Sequence, residues 1–220
     1  KVVEGASLVM AGNSYLQDYA SSLNRETTIF PTVLDTDRYQ STSNNNSDKL
    51  IIGWIGSPST APYLKTLIPS LSQLGLEGKV LLRVIGGKAP NIPNIEVEEI
   101  PWSEETEVHY INSFDIGVMP LEDDEWSKGK CAFKLLQYMA CELPVIASNV
   151  GANIDVVSSD SGYLVDNDLA WIDAMRSLRD NPEQRSSFGK NGRKKVIQSY
   201  SLKSNLPILV KAIKKISIKT

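Results

Sequence analysis

Histidine occurs once in this chain of 220 residues and cysteine twice. The single histidine, His109, lies in a helical pattern between Val108 and Tyr110, so neither a catalytic triad nor a histidine-rich metal site has material. Cys131 and Cys141 fall ten residues apart on one predicted helix, roughly 15 Å along its axis, too far to pair. Unpaired cysteines point to a reducing compartment and a cytoplasmic location. The chain has no signal peptide and no apolar run of about 18 residues, so no membrane-spanning helix is expected. Neither GxGxxG nor a Walker A pattern occurs, which excludes the dinucleotide-cofactor and NTP-hydrolysis fingerprints, and the EF-hand spacing is missing too.

Charge is absent by sign in two stretches. From Ala89 to Ser127 there is no Lys or Arg, and from Gln184 to Thr220 there is no Asp or Glu, although the net charge is only −3. The second stretch carries Lys190, Arg193, Lys194, Lys195, Lys203, Lys211, Lys214, Lys215 and Lys219. A basic, partly amphipathic tail serves either as a solvated helix face or as a peripheral contact with an anionic membrane. No aromatic residues alternate with the basic ones, which argues against nucleic acid. In the acidic stretch, Glu122 to Glu125 reads as a solvated loop or as a carboxylate that reaches sugar hydroxyls; the residues leave both open.

What the chain does have is 41% apolar and 22% charged residues, ordinary for a globular core without staples. The most informative stretch is Gly129 to Ser148, GKCAFKLLQYMACELPVIAS. Apolar residues recur at Ala132, Leu135, Leu136, Met139 and Ala140, which predicts a helix, and Val145 to Ala147 reads as a buried strand. Lys130, Lys134 and Gln137 are spaced i, i+4, i+7 and would share one row of that helix. The helix starts behind Gly129, so its free N–H groups around Cys131, Ala132 and Phe133, with the two lysines, would receive a phosphate. The competing reading is a half-buried helix with solvated lysines.

Along the chain, a strand–helix–strand unit is expected at Ala6–Ala11, Ser14–Leu23 and Thr28–Leu34, followed by a polar linker or loop over 41–49. Strands follow at Leu50–Ile55, Lys79–Ile85, Ile95–Val97, Asp115–Met119 and Gly162–Val165. Helices are expected at Pro62–Leu74, Ser103–Ser113, Leu169–Arg179, Pro182–Ser199 and Leu206–Lys215. This alternation predicts an α/β fold, a Rossmann-like parallel sheet with helices on both faces. Ligands of such sheets bind beyond the carboxyl ends of the strands. Gly56–Ser57, Gly86–Gly87 and the Pro101–Trp102 turn all fall at that edge.

With these residues placed, the chain resembles the carboxyl-terminal, donor-binding half of GT-B glycosyltransferases of family four (group 1). The resemblance rests on GWIGSPST at Gly53–Thr60, VIGG at Val84–Gly87, DIGVMPL at Asp115–Leu121 and above all KLLQYMACELPVIASNVGAN at Lys134–Asn153. SGYLV at Ser161–Val165 and FGKNGRKKV at Phe188–Val196 continue it. It implies a retaining transferase that takes a sugar from a nucleotide-diphosphate sugar, UDP or GDP type, and uses no essential metal or cofactor. The acceptor would be a glycan or lipid-linked molecule in surface polysaccharide synthesis at the inner membrane face. Lys130 and Lys134 would hold the diphosphate and stabilise the leaving group, while Gly86, Gly87 and Trp102 would border the base. Gln137 stands where the family has a ribose-binding glutamate, Gly129 where its paired-glutamate motif starts, and Glu142 where glycine is common. By the same resemblance, residues 1–40 are a remnant of the acceptor domain and crossover, 50–200 the nucleotide-sugar-binding domain and 201–220 a basic amphipathic helix. The chain begins at Lys1 and reads as a piece of something longer, able to bind nucleotide but not to transfer. A GT-B-like nucleotide-sugar epimerase and a non-catalytic nucleotide-sugar-binding module are the alternatives.

Overall fold

A computed structural model describes residues 1–42 and 47–217. Residues 43–46 of the expected linker and 218–220 of the expected tail, Lys219 included, lie outside the described residues. The chain opens with β1 (Val9–Ala11), α1 (Ser14–Ser21) and β2 (Thr27–Ile29), a parallel two-stranded unit. The expected strand to Leu34 stops at Ile29, because Pro31 cannot donate to a ladder. Leu34 instead bridges to Ser201 near the other end of the chain.

The main layer follows: β3 (Leu50–Ile55), a 3₁₀ turn (Ala61–Leu67), α2 (Ile68–Glu77), β4 (Val80–Ile85), β5 (Glu96–Ile100), α3 (Glu107–Ile111) and β6 (Ile116–Met119). Then come α4 (Glu125–Lys128), α5 (Phe133–Ala140), β7 (Val145–Ser148), α6 (Asn153–Val156) and β8 (Gly162–Val165). The chain closes with α7 (Asp168–Asp180), α8 (Pro182–Lys195), a π turn (Val196–Tyr200) and α9 (Leu202–Ser217). The six main strands are all parallel, in the order β5-β4-β3-β6-β7-β8.

Several helices differ in extent from the sequence reading. The segment expected as one helix from Pro62 splits, since Pro69 at the start of α2 has no N–H to continue the ladder. The helix expected from Ser103 starts only at Glu107; Ser103 Oγ accepts from Thr106 N at 3.3 Å and holds a local turn there. The last helix starts at Leu202 rather than Leu206, because Ser201 Oγ accepts from Ser204 N at 3.0 Å and caps it. Pro207 therefore sits inside α9.

Alternate residues of β3 face opposite layers. Ile51 and Ile55 join the core under α5, while Ile52 and Trp54 join the core with Leu64, Leu71, Leu74 and Met175. Gly53 and Gly117 are partners in register across β3 and β6. A Cβ on Gly53 would lie 1.9 Å from the Phe114 ring, and one on Gly117 2.4 Å from the Tyr138 ring. The two glycines thus leave space for these rings to lie against the sheet, edge to face with centroids 6.1 Å apart. Tyr138 Oη accepts from Ile55 N at 2.9 Å and ties α5 to the carboxyl end of β3.

Candidate functional site

From β3 the chain steps outward to β4 and β5; from β6 it steps the other way to β7 and β8. The topological switch lies between β3 and β6, where neighbouring crossovers diverge and leave a crevice. A cavity of about 600 Å³ occupies that place. Ile55, Gly56, Ser57, Gly86, Trp102 and Glu107 line it together with Lys130, Cys131, Ala132, Phe133, Lys134 and Gln137. A second hollow of about 880 Å³ shares Pro58, Gly86 and Trp102 with it and runs over Gly87 to Pro90. Eleven of the twelve sequence-derived site residues thus line one of the two hollows; Gly129 lines neither.

The helix that carries the lysines is shorter than expected. It starts at Phe133, so Lys130 and Cys131 belong to the preceding loop and the lysines do not share a helical row. The cause is Ala132, whose backbone is left-handed (φ 55°) and redirects the chain into α5. Gly129 has an ordinary φ of −74° and ends α4 instead. The start of α5 has no side-chain cap, and Ala132 and Phe133 line the cavity there beside the two lysines.

The 128–130 loop is clamped from far away in sequence. Buried Asn13 donates through Nδ2 to the carbonyls of Lys128 (3.0 Å) and Lys130 (2.8 Å). Lys130 Nζ donates to Tyr63 Oη at 2.9 Å and lies 4.5 Å from that ring's centre. Lys134 Nζ lies 5.3 Å from the Trp54 ring centre. Burial, with Lys130 nearby, pulls the Lys134 amine down to about 8. Neither lysine has a carboxylate partner among the described residues.

Glu107, which also lines the cavity, is only 5% exposed. Its Oε1 accepts from Arg38 Nη2 at 2.7 Å and Tyr39 Oη at 2.5 Å, and its Oε2 from Trp102 Nε1 at 2.7 Å. Gln137 Nε2 donates to the same Tyr39 oxygen at 3.0 Å. Burial and the bond to Glu107 push the Tyr39 hydroxyl well above its usual range. Sequence reasoning missed Glu107 as a site residue. The available signal was its place in the row Glu107, Ile111, Phe114, the buried face of a helical pattern.

The other acidic candidates lie elsewhere. Asp124 caps α4 by accepting from Ser127 N at 2.6 Å, and Asp123 pairs with Lys128 at 2.8 Å. Glu122 and Asp123 line a separate hollow of about 390 Å³. His109 is exposed on α3 and lines no part of the cavity.

The family model described as glycosyl transferases group 1 matches residues 49–181, more than half of the chain. The chain belongs to the group 1 glycosyltransferases. No curated protein matches it in sequence. Solved structures share its fold. Sucrose-phosphate synthase from Thermosynechococcus elongatus superposes with a TM-score of 0.77 at 17% identity, over 99% of this chain and 60% of that one. Anabaena HepE, solved in complex with UDP and glucose, gives 0.77 at 13% identity, over 95% of this chain and 63% of that one. TarM of S. aureus, solved with UDP and alpha-GlcNAc-glycerol, gives 0.71 at 16% identity, over 96% of this chain and 45% of that one. This group 1 glycosyltransferase chain therefore spans less than two thirds of those structures. Its six-stranded parallel layer is the Rossmann-like half of a GT-B fold. No helix among the described residues is long and apolar enough to cross a membrane.

Proposed function

We propose that this chain binds a nucleotide-diphosphate sugar, of UDP or GDP type, as the donor side of a retaining glycosyltransferase. The acceptor is a glycan or lipid-linked molecule in surface polysaccharide synthesis. One observation carries the reading. Two ammonium groups that form no salt bridge among the described residues stand in a cavity at the switch point, beside an uncapped helix start. A diphosphate supplies the negative charge these groups lack. When the bond from the anomeric carbon to the diphosphate breaks, charge builds on the leaving oxygen, and Lys130, Lys134 and the N–H groups of Phe133 and Lys134 stabilise it. That HepE and TarM were solved with UDP supports the choice of ligand.

The test is a thermal-shift series with UDP, GDP, ADP and their sugars, on wild type and on Lys134→Met. One nucleotide at a hundred times its Kd stabilises the wild type by about 2.7 kcal/mol, and Lys134→Met abolishes the shift. If no nucleotide shifts the wild type, the reading is wrong. On this reading the 220 residues alone bind nucleotide and transfer nothing.

A non-catalytic nucleotide-sugar-binding module is the second reading. It is favoured by residues 129 and 137, where Gly and Gln stand in place of acids. Donor hydrolysis or transfer by the whole protein separates the two. Nothing favours an epimerase: the cavity is lined by no histidine and by one carboxylate.

The proposed setting is the cytoplasmic face of an anionic membrane. Leu202, Leu206, Val210 and Ile213 form an exposed stripe on α9 at helical spacing, bordered by Lys203, Lys211 and Lys214. Co-sedimentation with anionic but not with neutral vesicles checks it.

A further inference from the structure

An ammonium that is to receive an anion has to be held in place without being neutralised. A carboxylate partner holds it and cancels its charge. A phenol oxygen or a ring face holds it and leaves the charge standing. Lys130 has partners of the second kind. Its Nζ donates to Tyr63 Oη at 2.9 Å and lies 4.5 Å from the centre of that ring and 5.8 Å from the centre of the Trp126 ring. Lys128, close by in the chain, has a partner of the first kind, Asp123 at 2.8 Å.

Tyr63 has its own supports. It belongs to the 3₁₀ turn after β3, far from Lys130 in sequence. Its N–H donates to Thr60 O at 3.3 Å, its carbonyl accepts from Thr66 Oγ1 at 2.8 Å, and its ring packs against the core under α5. Its Oη also accepts from Ser127 Oγ at 3.3 Å. Lys130 is among the residues that line the cavity and Tyr63 is not, so Tyr63 bears on a ligand there through Lys130.

The alternative partner stands next to this pair. Asp124 belongs to the exposed acidic loop Glu122–Glu125. Its carboxyl is held below its ordinary range, first by its bonds from Ser127 and in lesser part by the charges of Lys130 and Lys128. A lysine stem is long and flexible, so a Lys130 released from Tyr63 has a carboxylate within its field to turn to.

Resting on the nucleotide reading above, we propose that Tyr63 is a positioning residue for the diphosphate: it holds Lys130 at the cavity as an uncancelled cation and keeps it from pairing with Asp124. An ammonium has three N–H groups, and Tyr63 takes one of those on Lys130, which leaves the others for phosphate oxygens. A side chain already ordered this way has less freedom to lose when the ligand arrives.

The test uses inorganic pyrophosphate as the probe and reads two quantities in Tyr63→Phe, which keeps the ring in the core and removes Oη. Calorimetry is expected to show pyrophosphate binding weakened about fivefold or more, the scale of one hydrogen bond. Carboxyl NMR titration of the ligand-free protein is expected to show the Asp124 pKa fall by about 0.5 or more as Lys130 turns to it, with no such fall in Tyr63→Phe/Lys130→Met. Adding Asp124→Asn, which keeps the cap of α4, should return the affinity of Tyr63→Phe to within about twofold of Asp124→Asn alone. A merely structural role for Tyr63 would weaken binding with the Asp124 titration unmoved and no repair by Asp124→Asn. Either readout unmoved overturns the assignment, and so does a loss that Asp124→Asn leaves in place. If neither pyrophosphate nor any nucleoside diphosphate binds the wild type, the nucleotide reading has failed and this assignment with it. If they bind and Tyr63→Phe behaves as the wild type, only this assignment falls.

Discussion

Lys134 Nζ hangs 5.3 Å above the centre of the Trp54 ring, with no carboxylate partner among the described residues. The ring face offsets part of the lost hydration, but burial still lowers the amine to about 8 from its ordinary 10.5. An ammonium held this way is costly to the free protein and useful once an anion arrives.

The pH dependence follows. Between about pH 8 and 10.5 the unfolded chain keeps the Lys134 proton while the folded chain releases it. The unfolded state therefore binds more protons, and this one group makes the protein more stable as pH rises through that window, by at most about 3 kcal/mol. Lys134→Met is expected to remove this slope and to raise the unfolding free energy below pH 8, where it deletes a desolvated charge. Ligand binding runs the other way. A diphosphate restores the amine to its charged form, so pyrophosphate binding at pH 8.5 takes up protons and weakens as pH rises further. Calorimetry at pH 8.5 in two buffers of different ionisation enthalpy reads this uptake, which vanishes in Lys134→Met.

The two cysteines should react very differently. Cys131 is partly exposed and lines the cavity; Cys141 is buried, its thiol pushed up to about 12 by burial. Iodoacetamide is expected to label Cys131 and spare Cys141. A bound nucleoside diphosphate should slow labelling fivefold or more, read by peptide mass spectrometry as a function of time.

Glu142 is a stability test outside the site. It follows α5 in a left-handed conformation (φ 59°), with Leu143 N bonded to Tyr138 O at 3.1 Å and Glu142 N to Met139 O at 3.0 Å. This is the Schellman arrangement, in which glycine is favoured at that place. Glu142→Gly is expected to stabilise by about 1 kcal/mol, the long 3.9 Å contact with Arg193 being a minor loss. The carbonyl oxygen of Glu142 also lies 1.8 Å from where a Cβ on Gly189 would be. Gly189→Ala must therefore push α8 off α5 and should cost about 1–3 kcal/mol. Urea unfolding measures both.

The strand–helix alternation and the parallel sheet were legible because β3, β4, β6 and β7 are short apolar runs buried on both faces, and the helices between them keep their period. The lysines were legible as a pair, but not their geometry. Alanine is the best helix former, and nothing local marks Ala132 as the left-handed residue that starts α5. Glu107 was one acid among many in a stretch without bases; its row with Ile111 and Phe114 carried a signal of burial, but its partners 68 and 69 residues away carried none. Contacts of that range are tertiary and leave no local period to read.

A contact of longer range than these gives the last prediction. Asn13 lies 115 and 117 residues from the carbonyls it holds. Its Oδ1 also accepts from Leu16 N at 2.8 Å and caps α1. Asn13→Ala loses both functions, while Asn13→Asp keeps a good cap but turns a carboxylate toward two carbonyl oxygens. If the clamp is what orients Lys130, both variants weaken pyrophosphate binding, by about fivefold or more, and Asn13→Asp is no milder than Asn13→Ala despite its intact cap. The decisive comparison is a double-mutant cycle with Lys130→Met. Once the ammonium at 130 is gone, releasing its loop has nothing left to misplace, so Asn13→Ala should not weaken binding further in that background. Additive losses would mean that Asn13 acts on the fold at large and not through Lys130.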